Sequence, residues 1–480
     1  MPPNYAISRA VTTPKDLKVD ALVIGAGPGG YVAGIRLAQL KKTAVVVEKE
    51  KAGGVCLNVG CIPSKALINA AKTFDKMKHA DEMGLLADNI RLDMPRMQTW
   101  KDAVVNKLTG GVKTLLKANG CDFQLGTARL TAKNKVQVES SEGSYEIEAD
   151  NIVIATGSRP IEIPGFKFDG NRVVDSTGAL AFTEVPARLV VIGGGYIGME
   201  IGTLYAKLGS KVTVVEALPR LLPGTETDLA QVVNKRLKKL GVESLVSTKA
   251  KGWEDKGDHA LITVETPEGE KQIQADKILV AVGRRPNTDG LGLEALGVKM
   301  ERGFILVNHR QETNVPGIYA IGDVAGQPML AHKASKEAEV AAEVIAGKNA
   351  AMDARVVPAV IFTDPEVASA GLSVEEAEQK GRKVRTGKFP FSVLGRAIAN
   401  ADTDGFVKVV IDAQTTEVLG IHVVGNGASD VIGEAALAIE MGALADDLAL
   451  TIHAHPTLPE ALMEAAKAAQ GEAIHIQNRA

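Results

Sequence analysis

Ala21-Leu22-Val23-Ile24-Gly25-Ala26-Gly27-Pro28-Gly29-Gly30 is the stretch that decides the fold. Four apolar residues in a row read as a strand buried on both faces. Gly25-x-Gly27-x-x-Gly30 then opens an apolar helical stretch. In such a turn the first glycine makes the tight bend and the second lets the backbone approach a pyrophosphate. The third lets helix pack on strand. The helix N-terminus meets the phosphates with unpaired N–H groups and the positive end of its dipole. A second strand, Ala44 to Val47, ends on Glu48, placed to accept hydrogen bonds from ribose hydroxyls.

Glycine-rich turns of this kind also occur without a ligand, so one copy is weak. Here the pattern occurs twice. Leu189 to Ile192 leads into Gly193-x-Gly195-x-x-Gly198, a helix, and a strand from Val212 to Val215 that ends on Glu216. The acid stands 23 residues after the first glycine in both copies. Two dinucleotides are therefore expected. Glu216 would repel the 2′-phosphate of NADP and so favours NAD, although Arg220 lies close by. Asn151 to Gly157 and Lys277 to Gly283 each read as a strand closing into a glycine turn. Gly317 to Asp323 reads as a buried strand ending on an acid suited to a sugar-like or ribityl hydroxyl. From about Ala351 the pattern becomes α+β, with strands at Phe406 to Ile411 and Val418 to Val424. Helices follow at Asp430 to Met441 and from Leu458, which marks a separate domain.

A chain of 480 residues is long for one hydrophobic core and predicts two to four domains. The formal net charge of −3, with no Lys/Arg block, gives no electrostatic footprint for nucleic acid. The longest uncharged apolar stretch, Ala21 to Ile35, is short and glycine-rich and does not read as a membrane span. Three cysteines are too few for a disulfide scaffold, so a reducing compartment is expected. Met1 to Val19 carries Arg9 and Lys15 but no apolar core of a secretory signal. It reads as a loosely ordered N-terminus, with a transit remnant or linker as the alternative.

Gly53-Gly54-Val55-Cys56-Leu57-Asn58-Val59-Gly60-Cys61-Ile62-Pro63-Ser64-Lys65 carries two of those cysteines. Residues five apart in a regular helix have Cα atoms about 8–9 Å apart, and a disulfide needs less than about 7 Å. The pair can bridge only if the backbone between them leaves the helix, which Gly60 permits. Pro63 suits a helix start. The spacing is wrong for a thioredoxin-type CxxC, and the thiols are too few for a four-cysteine zinc site, so no metal is expected. Two unrelated buried thiols are the alternative to redox work.

His453-Ala454-His455-Pro456-Thr457-Leu458-Pro459-Glu460 offers a base and a carboxylate in a proline-bounded loop. A dithiol must lose a proton before it attacks a disulfide, and histidine has the pKa to take it. Chain order does not choose between His453 and His455, nor exclude that both merely pack. Lys65 is either a neighbour of a flavin ring or a helix-surface lysine. Glu200 is either a dipole partner at the start of its helix or a flavin-side neighbour. Cys121 reads as a small core residue.

The Gly53 to Lys65 stretch resembles the redox signature of the pyridine nucleotide–disulfide oxidoreductases. With Leu57-Asn58-Val59 and Ile62-Pro63-Ser64-Lys65 it is similar to their dihydrolipoyl dehydrogenase branch. The resemblance covers nearly the whole chain after the leader. It implies an α/β fold with two Rossmann-like dinucleotide-binding domains, for FAD and NAD, and a C-terminal α+β dimerisation domain. The boundaries expected are a leader at 1–19, an FAD domain at 20–157, an NAD domain at 158–280, a central segment completing the FAD site at 281–350, and an interface domain at 351–480. The resemblance makes Cys56 the thiol that meets the substrate and Cys61 the thiol that faces the flavin. It assigns Gly25, Gly27, Gly30, Glu48, Lys65, Ala128, Asp323 and Ala331 to FAD. Gly193, Gly195, Gly198, Glu200, Glu216 and Gly283 go to NAD, and His455 with Glu460 forms an acid–base dyad supplied to the other subunit of a homodimer.

The activity so implied is oxidation of protein-bound dihydrolipoyl groups with NAD⁺. The partners would be lipoyl domains of acyltransferase subunits or the glycine cleavage carrier protein, in the cytoplasm or, alternatively, the mitochondrial matrix. A glutathione-reductase-like enzyme is disfavoured by Glu216 and by Ser64 where those enzymes carry lysine. A non-catalytic dinucleotide-binding scaffold is the rival from another class.

Overall fold

A computed structural model of the chain describes residues 16–478. It divides into two compact units, one of residues 16–63, 102–159 and 284–353, the other of 64–101, 160–283 and 354–478. The chain passes between the units after residues 63, 101, 159, 283 and 353. The segment 64–101 has no counterpart in the limits drawn from the sequence. Its apolar residues Leu67, Ala71 and Met94 pack with Leu204 and Tyr205 of the second unit, a partnership that local pattern cannot reveal.

In the first unit the strand Leu17–Ile24 is central. It pairs in parallel with Ala44–Glu48 on one side and Gly143–Ile154 on the other. Asp122–Leu125 extends the sheet beyond Ala44–Glu48, and Ile318–Ala320 adds in parallel to Gly143–Ile154. Leu22, Val23, Val45 and Val46 are buried, as expected for strands covered on both faces. Leu17, Lys18 and Val19 are not leader. They begin the first strand, in register with Ile147, Glu148 and Ala149, because that long partner strand extends far enough to pair with them. The rest of the proposed leader, 1–15, lies outside the described residues. Asp323 sits beyond its strand, in the 3₁₀ turn Gly322–Val324.

The second unit holds a parallel sheet ordered Glu243–Leu245, Lys211–Val215, Arg188–Ile192, Lys277–Val280, Val173–Val174. It also holds an antiparallel five-stranded sheet ordered Ala359–Ile361, Glu366–Gly371, Val418–Gly425, Phe406–Asp412, Val384–Pro390. The helices Ala428–Met441 and Glu460–Gln470 share a core with this second sheet. Gly387 decides how close the latter helix comes. A Cβ there would stand 2.1 Å from the Ala465 carbonyl oxygen and 2.2 Å from the Ala469 nitrogen. Among the described residues no helix is long and apolar enough to cross a membrane.

Gly387→Ala pushes this helix, and Glu460 at its start, off the sheet. A cost of about 1–3 kcal/mol is expected, read as a lower urea midpoint with an unchanged m-value.

Candidate active site

The two glycine motifs can be tested residue by residue by asking what a Cβ would meet. At Gly25 it would lie 2.3 Å from the Ala155 oxygen, and at Gly30 1.8 Å from the Gly25 oxygen. At Gly193 and Gly198 the distances are 2.5 Å to the Ala281 oxygen and 2.1 Å to the Gly193 oxygen. These four glycines are required by the protein's own backbone. The middle glycines are not. Gly27 has only the Gly54 Cα at 4.0 Å, and Gly195 has nothing within 4 Å. Space kept clear above a helix N-terminus is what a pyrophosphate needs, so both cradles fit a dinucleotide.

The acids repeat the same geometry. Glu48 accepts from Ala26 N at 2.7 Å and Glu50 N at 2.9 Å, and Glu216 accepts from Gly194 N at 2.6 Å and Leu218 N at 2.7 Å. Each carboxylate is tied to its own glycine loop. Arg220, the cation that kept NADP open, is spent on the carbonyls of Pro223 and Thr225 and the Thr227 hydroxyl. Asp323 accepts from Ser158 Oγ at 2.5 Å, and Ala331 starts the helix Ala331–Ile345. The Ala128 side chain is packed in the core, so only its backbone can meet a ligand. Gly126, two residues earlier, was not singled out in the sequence. Its N–H bonds the Glu48 carbonyl at 2.9 Å, and its neighbour Val138 leaves no room for a side chain. Gly283 follows the strand Lys277–Val280 and accepts from Ile161 N at 3.1 Å.

The cysteines lie beside the first glycine loop. Cys56 is in the short helix Gly54–Val59, and Cys61 begins the helix Cys61–Lys78. Between them Gly60 has φ −130° and ψ −107°, which breaks the helix where the spacing demanded it. The Cys56 helix is fastened to the loop by Gly53 N–H donating to Ala26 O at 2.8 Å. Asn58 Nδ2 adds bonds to the Ala52 and Gly54 carbonyls, both 2.9 Å. Cys61 is exposed and Cys56 half-buried. Tyr31, which the sequence did not flag, adjoins Cys56: burial first, and then the Cys56 thiolate, push its phenol above its ordinary value. Cys121 is buried, and its thiol is pushed up to about 12 chiefly by burial, so it is inert.

In the second unit Lys65 Nζ lies 2.8 Å from Glu200 Oε2 and 4.4 Å above the Phe362 ring, and Glu200 Oε1 accepts from Phe362 N at 2.9 Å. Both oxygens of Glu200 are therefore taken by Lys65 and Phe362, which differs from the place beside NAD that the resemblance implies. The two histidines separate clearly. The His453 side chain is 5% exposed, with Nδ1 against Thr451 O and Nε2 against Glu434, both at 2.9 Å. His455 has 77% of its side chain exposed, and its Nδ1 lies 2.9 Å from Glu460 Oε1. Glu460 Oε2 accepts from Thr457 N at 2.7 Å. Burial works to raise the Glu460 carboxyl, but the Thr457 N–H and the His455 ring outweigh it and hold it below the usual value. The result is an exposed imidazole held at Nδ1 by a carboxylate, the arrangement a general base needs.

Among the described residues no group of three or more His, Cys, Asp or Glu is set to hold a metal ion. The model of the pyridine nucleotide-disulphide oxidoreductases matches residues 19–338, and that of their dimerisation domain matches 357–466. The chain belongs to this family. It is 52% identical over 461 residues to dihydrolipoyl dehydrogenase of Geobacillus stearothermophilus, covering 96% of this chain and 98% of that one. It is 50% identical to the Haloferax volcanii protein of the same name, over 96% and 98% of the two chains. Among solved structures, LpdA of Mycobacterium tuberculosis aligns with a TM-score of 0.87 at 27% identity, over 94% and 99%. The HOCl-induced flavoprotein disulfide reductase RclA of Escherichia coli aligns with 0.84 at 27%, over 93% and 99%. The fold is thus the family's, with FAD- and NAD-binding domains and a C-terminal dimerisation domain, and the chain is an oxidoreductase that uses FAD and NAD.

Two outcomes follow from this geometry. Gly195→Ala leaves the melting temperature within about 1 °C of native but weakens NAD binding, whereas Gly198→Ala costs about 1–3 kcal/mol of stability; calorimetry and NAD titration separate the two. Because the Thr457 N–H first and the His455 ring second hold the Glu460 carboxyl low, the ionised carboxylate contributes stability that is present above the ordinary carboxylate range and is lost as pH falls through the lowered value. The stability gap between native protein and Glu460→Gln, measured in urea, therefore narrows as pH falls below about 4.

Proposed function

We propose that the chain is a dihydrolipoyl dehydrogenase that oxidises dihydrolipoyl groups carried on lipoyl domains of acyltransferase subunits or on the glycine cleavage carrier protein. The observation that carries the chemistry is the pairing of a helix break between Cys56 and Cys61, docked on a dinucleotide loop, with an exposed His455 oriented by Glu460. His455 Nε2 takes the proton of one substrate thiol. The thiolate attacks Cys56 Sγ, the Cys56–Cys61 bond breaks, and its electron pair leaves on Cys61. The second substrate thiol attacks the substrate sulfur of the mixed disulfide and closes the lipoyl ring; the bond to Cys56 breaks, and the proton of that thiol passes to the departing Cys56 sulfur, which leaves Cys56 a thiol, Cys61 a thiolate and His455 protonated. Bound FAD supplies a carrier that accepts an electron pair from a thiolate and yields it to NAD⁺ as hydride.

Gly25, Gly27, Gly30, Glu48, Lys65, Asp323, Ala331 and the backbone at Ala128 would hold FAD. Gly193, Gly195, Gly198, Glu216 and Gly283 would hold NAD, with Glu200 fixing Lys65. His455 serves the partner subunit's cysteines. Met441 at 76% and Ile452 at 96% exposure give the dimerisation domain the apolar face such a pairing needs. The reducing setting that keeps such thiols active points to the cytoplasm.

The first test is the visible spectrum of the purified protein under anaerobic dihydrolipoamide, followed by NAD⁺. Bleaching or a long-wavelength band, then NADH, supports the assignment; a flavin indifferent to dihydrolipoamide refutes it. His455→Gln lowers turnover of dihydrolipoamide by about 10²–10⁴-fold and leaves NADH-driven dye reduction at its native rate. Mixing His455→Gln with Cys56→Ser chains restores about a quarter of native activity, since half the dimers are mixed and each has one intact site. No recovery means that the dyad acts within its own chain.

A further inference from the structure

We infer that Glu337, oriented by Lys333, is the positioning residue that holds the Asp323 turn in the shape FAD requires, an inference that rests on FAD occupying the first unit. Both lie on the helix Ala331–Ile345 and both are buried, Lys333 with 9% and Glu337 with 6% of its side chain exposed. Lys333 Nζ is 2.8 Å from Glu337 Oε1. Each also holds one end of the turn. Glu337 Oε2 accepts from Gly322 N at 2.7 Å, and Lys333 Nζ donates to Gly326 O at 3.1 Å. Asp323 lies between these two points, its carboxylate fixed by Ser158 Oγ, which in turn accepts from Arg284 Nε at 2.8 Å.

Helix energetics do not account for the pair. A lysine in the first turn opposes the helix dipole, and lysine four residues before glutamate is the weaker order. Burial adds a dehydration cost that a buried ion pair barely recovers. Its two backbone contacts are what set it apart from a surface pair. The same helix also touches the glycine loop's helix, since a Cβ on Gly29 would meet the Ala334 carbonyl oxygen at 3.3 Å. One element therefore supports both the phosphate-facing loop and the acid assigned to the FAD sugar chain. Without the clamp, the turn that carries Asp323 must be ordered by the cofactor itself, which lowers affinity.

Two charge-free double variants separate positioning from folding. Lys333→Met/Glu337→Gln keeps an acceptor for the Gly322 N–H, and Lys333→Met/Glu337→Leu removes it. Apoprotein of each is titrated with FAD by fluorescence quenching, and the flavin spectrum and melting temperature are recorded with and without FAD. The glutamine variant is expected to bind FAD within about threefold of native. The leucine variant is expected to bind at least about tenfold more weakly, the penalty for an orphaned N–H, with an altered visible band. Native affinity and spectrum in the leucine variant, whatever its melting temperature, overturn the inference. Should that variant not fold, Glu337→Asp decides, because it keeps the charge pair but withdraws from Gly322: weakened FAD binding supports the clamp, and native binding overturns it. Native protein that binds no FAD overturns the underlying reading and the inference with it.

Discussion

The active centre of the first unit depends on one close approach of backbone to backbone. A Cβ on Gly54 would lie 2.6 Å from the Gly27 Cα, and Gly53 N–H donates to the Ala26 carbonyl. Glycine at 54 lets the cysteine-bearing helix lie directly on the first glycine loop. A side chain there would lift that helix, and Cys56 with it, off the loop. The break at Gly60 depends on the same arrangement, because it turns the chain from the loop-bound helix into the longer one that begins with Cys61.

A second constraint recurs in three places. Glu200, Glu337 and Glu460 each use one carboxylate oxygen to accept a backbone N–H, of Phe362, Gly322 and Thr457 respectively. The other oxygen orients a basic side chain, Lys65, Lys333 and His455. A carboxylate fixed to the frame by one charge-assisted bond has a defined direction for the other. Glu48 and Glu216 are a variation in which both oxygens take backbone N–H groups. The duplicated sequence motif is therefore expressed as a duplicated hydrogen-bond pattern.

Much of this was legible from local sequence. Strand Leu189 to Ile192 is observed from Arg188, and the expected strand Val212 to Val215 is observed from Lys211. The helix expected from Asp430 to Met441 begins two residues earlier, at Ala428. Periodicity, apolar runs and glycine spacing are local properties, and they mark these elements even where the pairing partners lie far along the chain. The misreadings are non-local. Leu17 to Val19 became strand because residues 147–149 lie alongside, and 64–101 joined the second unit because its apolar residues meet Leu204 and Tyr205.

The sequence by itself determined two dinucleotide folds, a cysteine pair that can meet only across a helix break, and a histidine loop with a carboxylate within reach. Each is written in spacing between neighbouring residues. Tertiary structure decided which histidine stays exposed, because the His453 side chain is covered against Glu434 of the helix Ala428–Met441 while His455 remains open. It also decided that Glu200 turns to Lys65, 135 residues away in sequence, and that Arg220 is taken by its own loop. Burial and pairing of charged groups are set by which distant segments pack together, and no local pattern carries that information.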